Sequence, residues 1–320
     1  LANNTVLSTF VDNEDNLWTG LDNGIAHLQL NSPIRIYKDS NGSLGTIYAA
    51  SLYNGVLYLG TNQGLYKKKY PSNSNFSPVS GLEGQVWNLK QIDGKLFCGH
   101  DSGMFIIDNG KVTRIFDKIG TWDYRLLENN LILAGTYDGL HIIEKNEGNW
   151  KHKTKIQGFD ISSRFFEISK DKNILISHEY KGVFKIKLNI DNYQIDDNDL
   201  LIDGQNLYSS LSSLGNSIYF MSKEGFYYYD YENERFLKNN QITYLIKDLS
   251  FLSGKMVNTN DKNLWLFGAN SIIKLEKNQF SDEFIVEKFP VNQSLRSGLI
   301  GFENIISLDN LSHLLGSSQG

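Results

Sequence analysis

Asn16-Leu17-Trp18-Thr19-Gly20-Leu21-Asp22-Asn23-Gly24-Ile25 reads as an apolar strand, a polar turn closed by glycine, and the start of another strand. The same order of residue types returns as Leu57-Tyr58-Leu59-Gly60-Thr61-Asn62-Gln63-Gly64-Leu65. It returns again as Leu96-Phe97-Cys98-Gly99-His100-Asp101-Ser102-Gly103-Met104 and as Leu133-Ala134-Gly135-Thr136-Tyr137-Asp138-Gly139-Leu140. Weaker copies surround Ser177, Met221 and Phe267, and a truncated one, Leu314-Leu315-Gly316-Ser317-Ser318-Gln319-Gly320, ends the chain. The anchor positions 20, 60, 99, 135, 177, 221, 267 and 316 stand 36 to 49 residues apart. A β-rich period of about 40–50 residues is the signature of propeller blades.

Around the first copy, Val6–Val11 is a β-forming run and Leu17–Leu21 a second strand, with Ile25–Leu30 as a third. Ile34-Arg35-Ile36-Tyr37 is the candidate outer fourth. Four antiparallel strands joined by short turns, repeated, make a propeller blade. The bulky residue of each second strand (Trp18, Tyr58, Phe97, Leu133, Leu175, Tyr219, Trp265) is expected to pack between adjacent blades, and the small residue two places on in the first four copies to relieve crowding near the axis. No sustained helical stripe competes with this reading. The fold class is all-β, a β-propeller of seven four-stranded blades. The eight-bladed alternative leaves its last blade half built, with an exposed edge. Residues 1–320 form one propeller domain, and in a seven-bladed ring residues 1–24 are surplus, as the end of a preceding propeller.

With 40% hydrophobic and 12% aromatic residues, the chain of 320 residues can build a core, which excludes disorder. A net charge of −5 argues against a nucleic-acid surface. The single cysteine, Cys98, forms no internal disulfide. The chain opens on Leu1 and both ends cut through a repeat, so it reads as a piece of a larger protein.

The turns between second and third strands lie on the same face as the entries to the innermost strands. That face gathers aromatic and polar groups suited to a small polar ligand such as a sugar. The ligand candidates are Trp87, Asn88, Trp122, Asp123, Arg164 and Tyr208 at strand entries, with His100 and His178 directly after the anchor position of their repeats. Trp87 and Trp122 fall off the blade-packing position, which sets them apart from the structural aromatics. Two histidines on a rim are also the feature a metal site or an acid–base pair would need, although no third histidine shares their position. The acidic runs Asp12–Asn16, Asp196–Asp199 and Asn258–Asn263 lack the loop length and terminal Glu of a calcium-binding EF-hand. No phosphate loop, nucleophile elbow or Cys-x-x-Cys pair is present. The expectation is therefore no catalytic residue, no metal and no cofactor.

The pattern Leu-Trp-x-Gly-x-x-x-Gly-Ile/Leu resembles the two-component regulator propeller repeat. The resemblance is strong at Asn16–Ile25, Leu57–Leu65 and Leu131–Leu140, and moderate at Leu96–Phe105 and Asn173–Phe184. It is poor at Ile218–Phe226 and Asn263–Ile273. Ser177, Met221 and Phe267 replace the anchor glycine, and Ser271 the second glycine. It implies a periplasmic sensor domain of a bacterial signalling or transcription regulator, with an oligosaccharide as ligand. Its implied partners are a neighbouring propeller and a Tyr-rich β-sandwich of the same protein, or a second copy in a homodimer, with no nucleic acid bound by this piece. Two other readings stay open: a carbohydrate-active propeller enzyme of the polysaccharide-lyase kind, and a passive scaffold for dimerisation.

Overall fold

The computed structural model describes residues 3–37, 44–204, 209–248, 251–259, 261–278, 281, 283–291, 300–309 and 311–318. The chain divides into two compact units, residues 1–40 and 41–320.

The first unit is an antiparallel sheet of β1 (Val6–Val11), β2 (Leu17–Leu21) and β3 (Gly24–Leu28), in that order. Trp18 pairs with His27 across β2 and β3 and stacks on its ring at 4.2 Å. The Trp18 indole N–H donates to Asp12 at 2.8 Å, and this bond, with backbone donors, holds the Asp12 carboxyl down at about 2. The fourth strand expected at residues 34–37 does not form. Instead the Arg35 guanidinium donates to the carbonyls of Ser32 and Leu30 just upstream, so the segment is held to its own turn and pairs with no strand.

The second unit is built of blades. Blade one is β4 (Ile47–Tyr53), β5 (Val56–Thr61), β6 (Gly64–Lys69) and β7 (Ser77–Glu83). Blade two is β8 (Val86–Ile92), β9 (Lys95–His100), β10 (Gly103–Asp108) and β11 (Lys111–Phe116). Blade three is β12 (Thr121–Glu128), β13 (Leu131–Thr136), β14 (Gly139–Asn146) and β15 (Asn149–Lys155). Blade four is β16 (Phe165–Ile168), β17 (Ile174–His178), β18 (Gly182–Asn189) and β19 (Gln194–Asp203). Blade five is β20 (Ser210–Leu214), β21 (Ser217–Ser222), β22 (Gly225–Asp230) and β23 (Arg235–Lys238), followed by a helix, α1 (Asn240–Asp248). Blade six is β24 (Phe251–Thr259), β25 (Asn263–Gly268), β26 (Ser271–Lys277) and β27 (Phe284–Pro290). Blade seven consists, among the described residues, of β28 (Ile305–Ser307) and β29 (His313–Leu315).

The first strand of each blade packs beside the first strand of the next, and β28 touches both β24 and β4. The ring therefore closes at seven. Its seam is hydrogen-bonded: the Asn304 amide donates to the Ile47 carbonyl at 2.8 Å, and the Ile47 N–H donates to Ser317 at 3.1 Å. Ile306 and Leu314 pack there against Leu57 and Leu59.

Six second-strand residues fill successive gaps around this ring. Tyr58 packs with Val86 and Leu96 of blade two, Phe97 with Tyr124 and Ile132 of blade three, and Leu133 with Phe166 and Ile174 of blade four. Leu175 packs with Leu211 and Phe220 of blade five, Tyr219 with Met256 and Leu264 of blade six, and Trp265 lies 4.8 Å from the His313 ring of blade seven. Trp18, in the first unit, is the exception at 39% exposed. Burying each such side chain contributes about 1.5–3 kcal/mol, so these gaps carry much of the ring's stability.

The anchor glycines do a more specific job than relieving crowding at the axis. A methyl at Gly135 would collide with the Ser163 carbonyl of the next blade, and one at Gly99 would lie 2.8 Å from the Thr121 carbonyl. In blade four the anchor is Ser177, whose hydroxyl hydrogen-bonds Ser209 at 2.8 Å across the same gap.

The helix was not legible from periodicity because it is short and alone. Asn239 caps it, its side chain accepting from the Ile242 N–H at 3.0 Å. Ile242 and Ile246 then enter the core between blades five and six beside Phe226.

A candidate ligand cleft at the channel mouth

The first strands of blades one, two and three each carry a register irregularity near their start, between Ile47 and Ala49, between Val86 and Asn88, and between Thr121 and Asp123. The extra residues are Tyr48, Trp87 and Trp122. A bulge takes a residue out of the ladder and re-aims its side chain, which is why bulges recur beside sites. Here it turns three aromatics in succession into one end of the axial channel.

They meet as a continuous surface. Tyr48 stacks on Trp87 at 5.1 Å, Trp87 meets Trp122 in a tilted contact at 4.7 Å, and Trp122 meets Tyr137 in another at 4.6 Å. Phe302 of blade seven closes the circle against Tyr48 and Trp87 at 5.1 and 5.7 Å. The indole N–H groups are spoken for: Trp87 donates to the Tyr137 hydroxyl at 2.7 Å and Trp122 to the Ser162 hydroxyl at 3.0 Å. The rings are thus fixed in orientation.

The cleft beneath is small, a cavity of about 40 Å³. Besides Tyr48, Trp87, Trp122 and Phe302, it is lined by Asn88, Asp123, Arg164, Phe165, Lys255 and Glu303. Five of the sequence-selected residues therefore converge on one cavity: Trp87, Asn88, Trp122, Asp123 and Arg164. Tyr208 lies outside the described residues.

The two histidines go elsewhere. His100 is 2% exposed; its Nδ1 faces Asp101 at 2.7 Å and accepts from the Ser102 N–H at 3.1 Å, and its ring sits edge-on to Phe105. Burial lowers its pKa. His178 is half-buried at the end of β17, where its Nδ1 accepts from the Tyr180 N–H at 3.2 Å. Neither lines the cleft. The turn residues Asn62 and Asp101 are structural as well, accepting from the Thr46 and Gln85 N–H groups at the entries of their own blades.

The floor of the cleft is ionic. Asp123 accepts from Asn88 and from Lys90, both at 2.6 Å, and pairs with Arg125 at 2.5 Å. Arg125 continues to Glu167 at 2.8 Å, which also accepts from Ser213 at 3.1 Å. Burial raises the Asp123 pKa, but Arg125 and Lys90 more than reverse this and hold it at about 2. These four charges satisfy one another across blades two to four.

Arg164 and Lys255 are different. The Arg164 guanidinium lies over the rings of Phe302 at 3.9 Å, Phe165 at 4.7 Å and Trp122 at 5.3 Å, and donates to the Gly301 carbonyl. Burial pulls it down to about 10. Lys255 lies 4.8 Å from the Phe165 ring centroid, and burial, helped by the Arg164 charge, pulls its ammonium down to about 8. Glu303 is 1% exposed; one oxygen accepts from Ser253 at 3.0 Å, the other is buried with no partner, and burial raises its pKa. Lys255, Phe302 and Glu303 escaped sequence reasoning because they sit in blades six and seven, where the repeat pattern is weakest.

No family model matches the chain, and no curated protein does. Solved structures do share its fold. The extracellular domain of BT4673 from B. thetaiotaomicron, described as a one-component and elsewhere as a hybrid two-component system, superposes with a TM-score of 0.59 at 14% identity. The match covers 89% of this chain and 42% of that one, so this chain spans under half the length of that domain. Virginiamycin B lyase from Staphylococcus aureus gives a TM-score of 0.59 at 11% identity, covering 88% of this chain and 95% of the lyase. The computationally designed Ika8 protein gives 0.57 at 11% identity, covering 99% and 94%. A signalling domain, a lyase and a designed protein share the architecture, so function must be argued from the site.

Proposed function

We propose that this chain is the extracytoplasmic sensory propeller of a bacterial signalling protein, and that it recognises a small carbohydrate at its channel mouth without transforming it. The observation that carries this reading is the fixed aromatic surface of Tyr48, Trp87 and Trp122 above a polar floor. Flat rings whose polar edges are already bonded present faces for the C–H side of a sugar, and Asn88, Arg164 and Glu303 offer polar partners around them. The fold likeness to the BT4673 extracellular domain supports a periplasmic setting and a sensing role.

A binding role without catalysis fits the chemistry of the lining. Of the two carboxylates there, Asp123 is locked between Lys90 and Arg125, which leaves Glu303 without a second free carboxylate beside it. The experiment is calorimetric titration of the chain with a panel of mono- and disaccharides, with product analysis of each mixture. The expected result is saturable binding of at least one sugar, weakened on Trp122→Ala, with no product formed. Product release would favour the lyase-type reading; no binding across the panel would favour a passive scaffold.

A further inference from the structure

We infer that the cleft is built for a small hydroxylated carboxylate, the acid form of a sugar, whose carboxylate sits on Arg164 and Lys255 while a hydroxyl donates to Glu303. The inference rests on the sensory reading above and narrows its ligand class.

The donors and acceptors left over in the cleft define the missing molecule. A guanidinium carries five N–H donors in a planar fork. Among the described residues Arg164 gives one hydrogen bond, to the Gly301 carbonyl, and forms no ion pair. Three aromatic rings hold its plane, so the remaining donors are oriented as well as unused. The Lys255 ammonium has three donors and no hydrogen-bond or ion-pair partner among the described residues. The neighbouring cations Lys90 and Arg125 are saturated by Asp123 and Glu167 and offer nothing comparable. Beside these two cations stands one acceptor, the buried oxygen of Glu303 that makes no hydrogen bond among the described residues.

A ligand that completes the site must accept from two cations and donate to one carboxylate oxygen. A cation would be repelled by Arg164 and Lys255. A neutral sugar would leave two half-buried positive charges uncompensated, which burial penalises. A single small molecule bearing both a carboxylate and hydroxyls meets all three demands. The Trp122 and Phe302 rings beside Arg164 supply the platform for its ring. A carboxylate fits the guanidinium fork in two parallel hydrogen bonds.

The test titrates the full chain by calorimetry with glucuronate and galacturonate, with glucose and galactose, and with glucose 6-sulfate. One hexuronate is expected to bind roughly ten- to hundredfold more tightly than its neutral sugar. Arg164→Gln and Lys255→Met should each weaken hexuronate binding roughly tenfold, with thermal unfolding confirming that both variants are folded. Equal affinity for acid and neutral sugars overturns the inference and leaves the sensory reading in place. Tighter binding of the sulfate overturns the carboxylate assignment. Binding of neither class overturns both.

Discussion

Lys255→Met should stabilise this protein. Burial holds the Lys255 ammonium at about 8, against an ordinary value of 10.5. That displacement corresponds to at most about 3 kcal/mol working against the folded chain at neutral pH. The side chain is half-buried beside solvent in the cleft, so screening reduces the net figure to about 1–2 kcal/mol. Methionine keeps the length and packs its thioether against Phe165 without a charge. The midpoint of thermal unfolding at pH 7 should therefore rise by roughly 1–3 °C. The pH dependence follows from the lowered value. Below about 8 both folded and unfolded chains carry the proton, and the full penalty stands. From about 8 to 10.5 the folded chain sheds it while the unfolded chain keeps it, so the wild type gains stability with rising pH and the gap to the variant closes. A variant that melts below the wild type at pH 7, or a gap unchanged across that window, would refute the reasoning.

Three further outcomes follow from the packing and the titrating groups. Phe97→Ala, which empties a gap between blades two and three, should lose about 3–5 kcal/mol in denaturant unfolding, while Trp18→Ala, at an exposed ring, should lose about 1 kcal/mol or less. Gly135→Ala should lower the melting point sharply, because its methyl meets the Ser163 carbonyl; Gly110→Ala finds open space and, with φ at +81°, should cost only about 1–2 kcal/mol. His141 and His152 share a hydrogen bond at 3.0 Å, and burial lowers the pKa of each below 6.5. As pH falls below that value the unfolded chain takes up protons the folded chain refuses, so the denaturation midpoint should drop between pH 7 and 5.5, and drop less in a His141→Gln, His152→Gln double variant.

The wedges were legible because their chemistry is the same in every blade. Tyr58, Phe97 and Leu133 are bulky, sit two residues before a glycine and recur every 36 to 39 residues, and the gap each fills is closed by the next blade. Trp18 matches that pattern yet stays partly exposed, since its neighbours in the first unit do not cover it. Trp87 and Trp122 could be singled out for falling off the wedge position, but the bulge that re-aims them is a backbone event with no residue signature of its own. His100 holds a turn position whose ring lies against Phe105 and Asp101 and does not line the cleft, a side-chain placement its residue type does not announce. The ion pairs from Lys90 through Asp123 and Arg125 to Glu167 join three blades, and only the packing of successive first strands brings these residues together.

The most direct measurement is a crystal of the chain grown with whichever sugar of the panel raises its melting point most. Difference density is expected in the cleft, with a sugar ring on Trp122 or Trp87 and a polar group within hydrogen-bond reach of Arg164. Density confined to another surface, or a cleft still filled only by solvent at saturating sugar, would contradict the account.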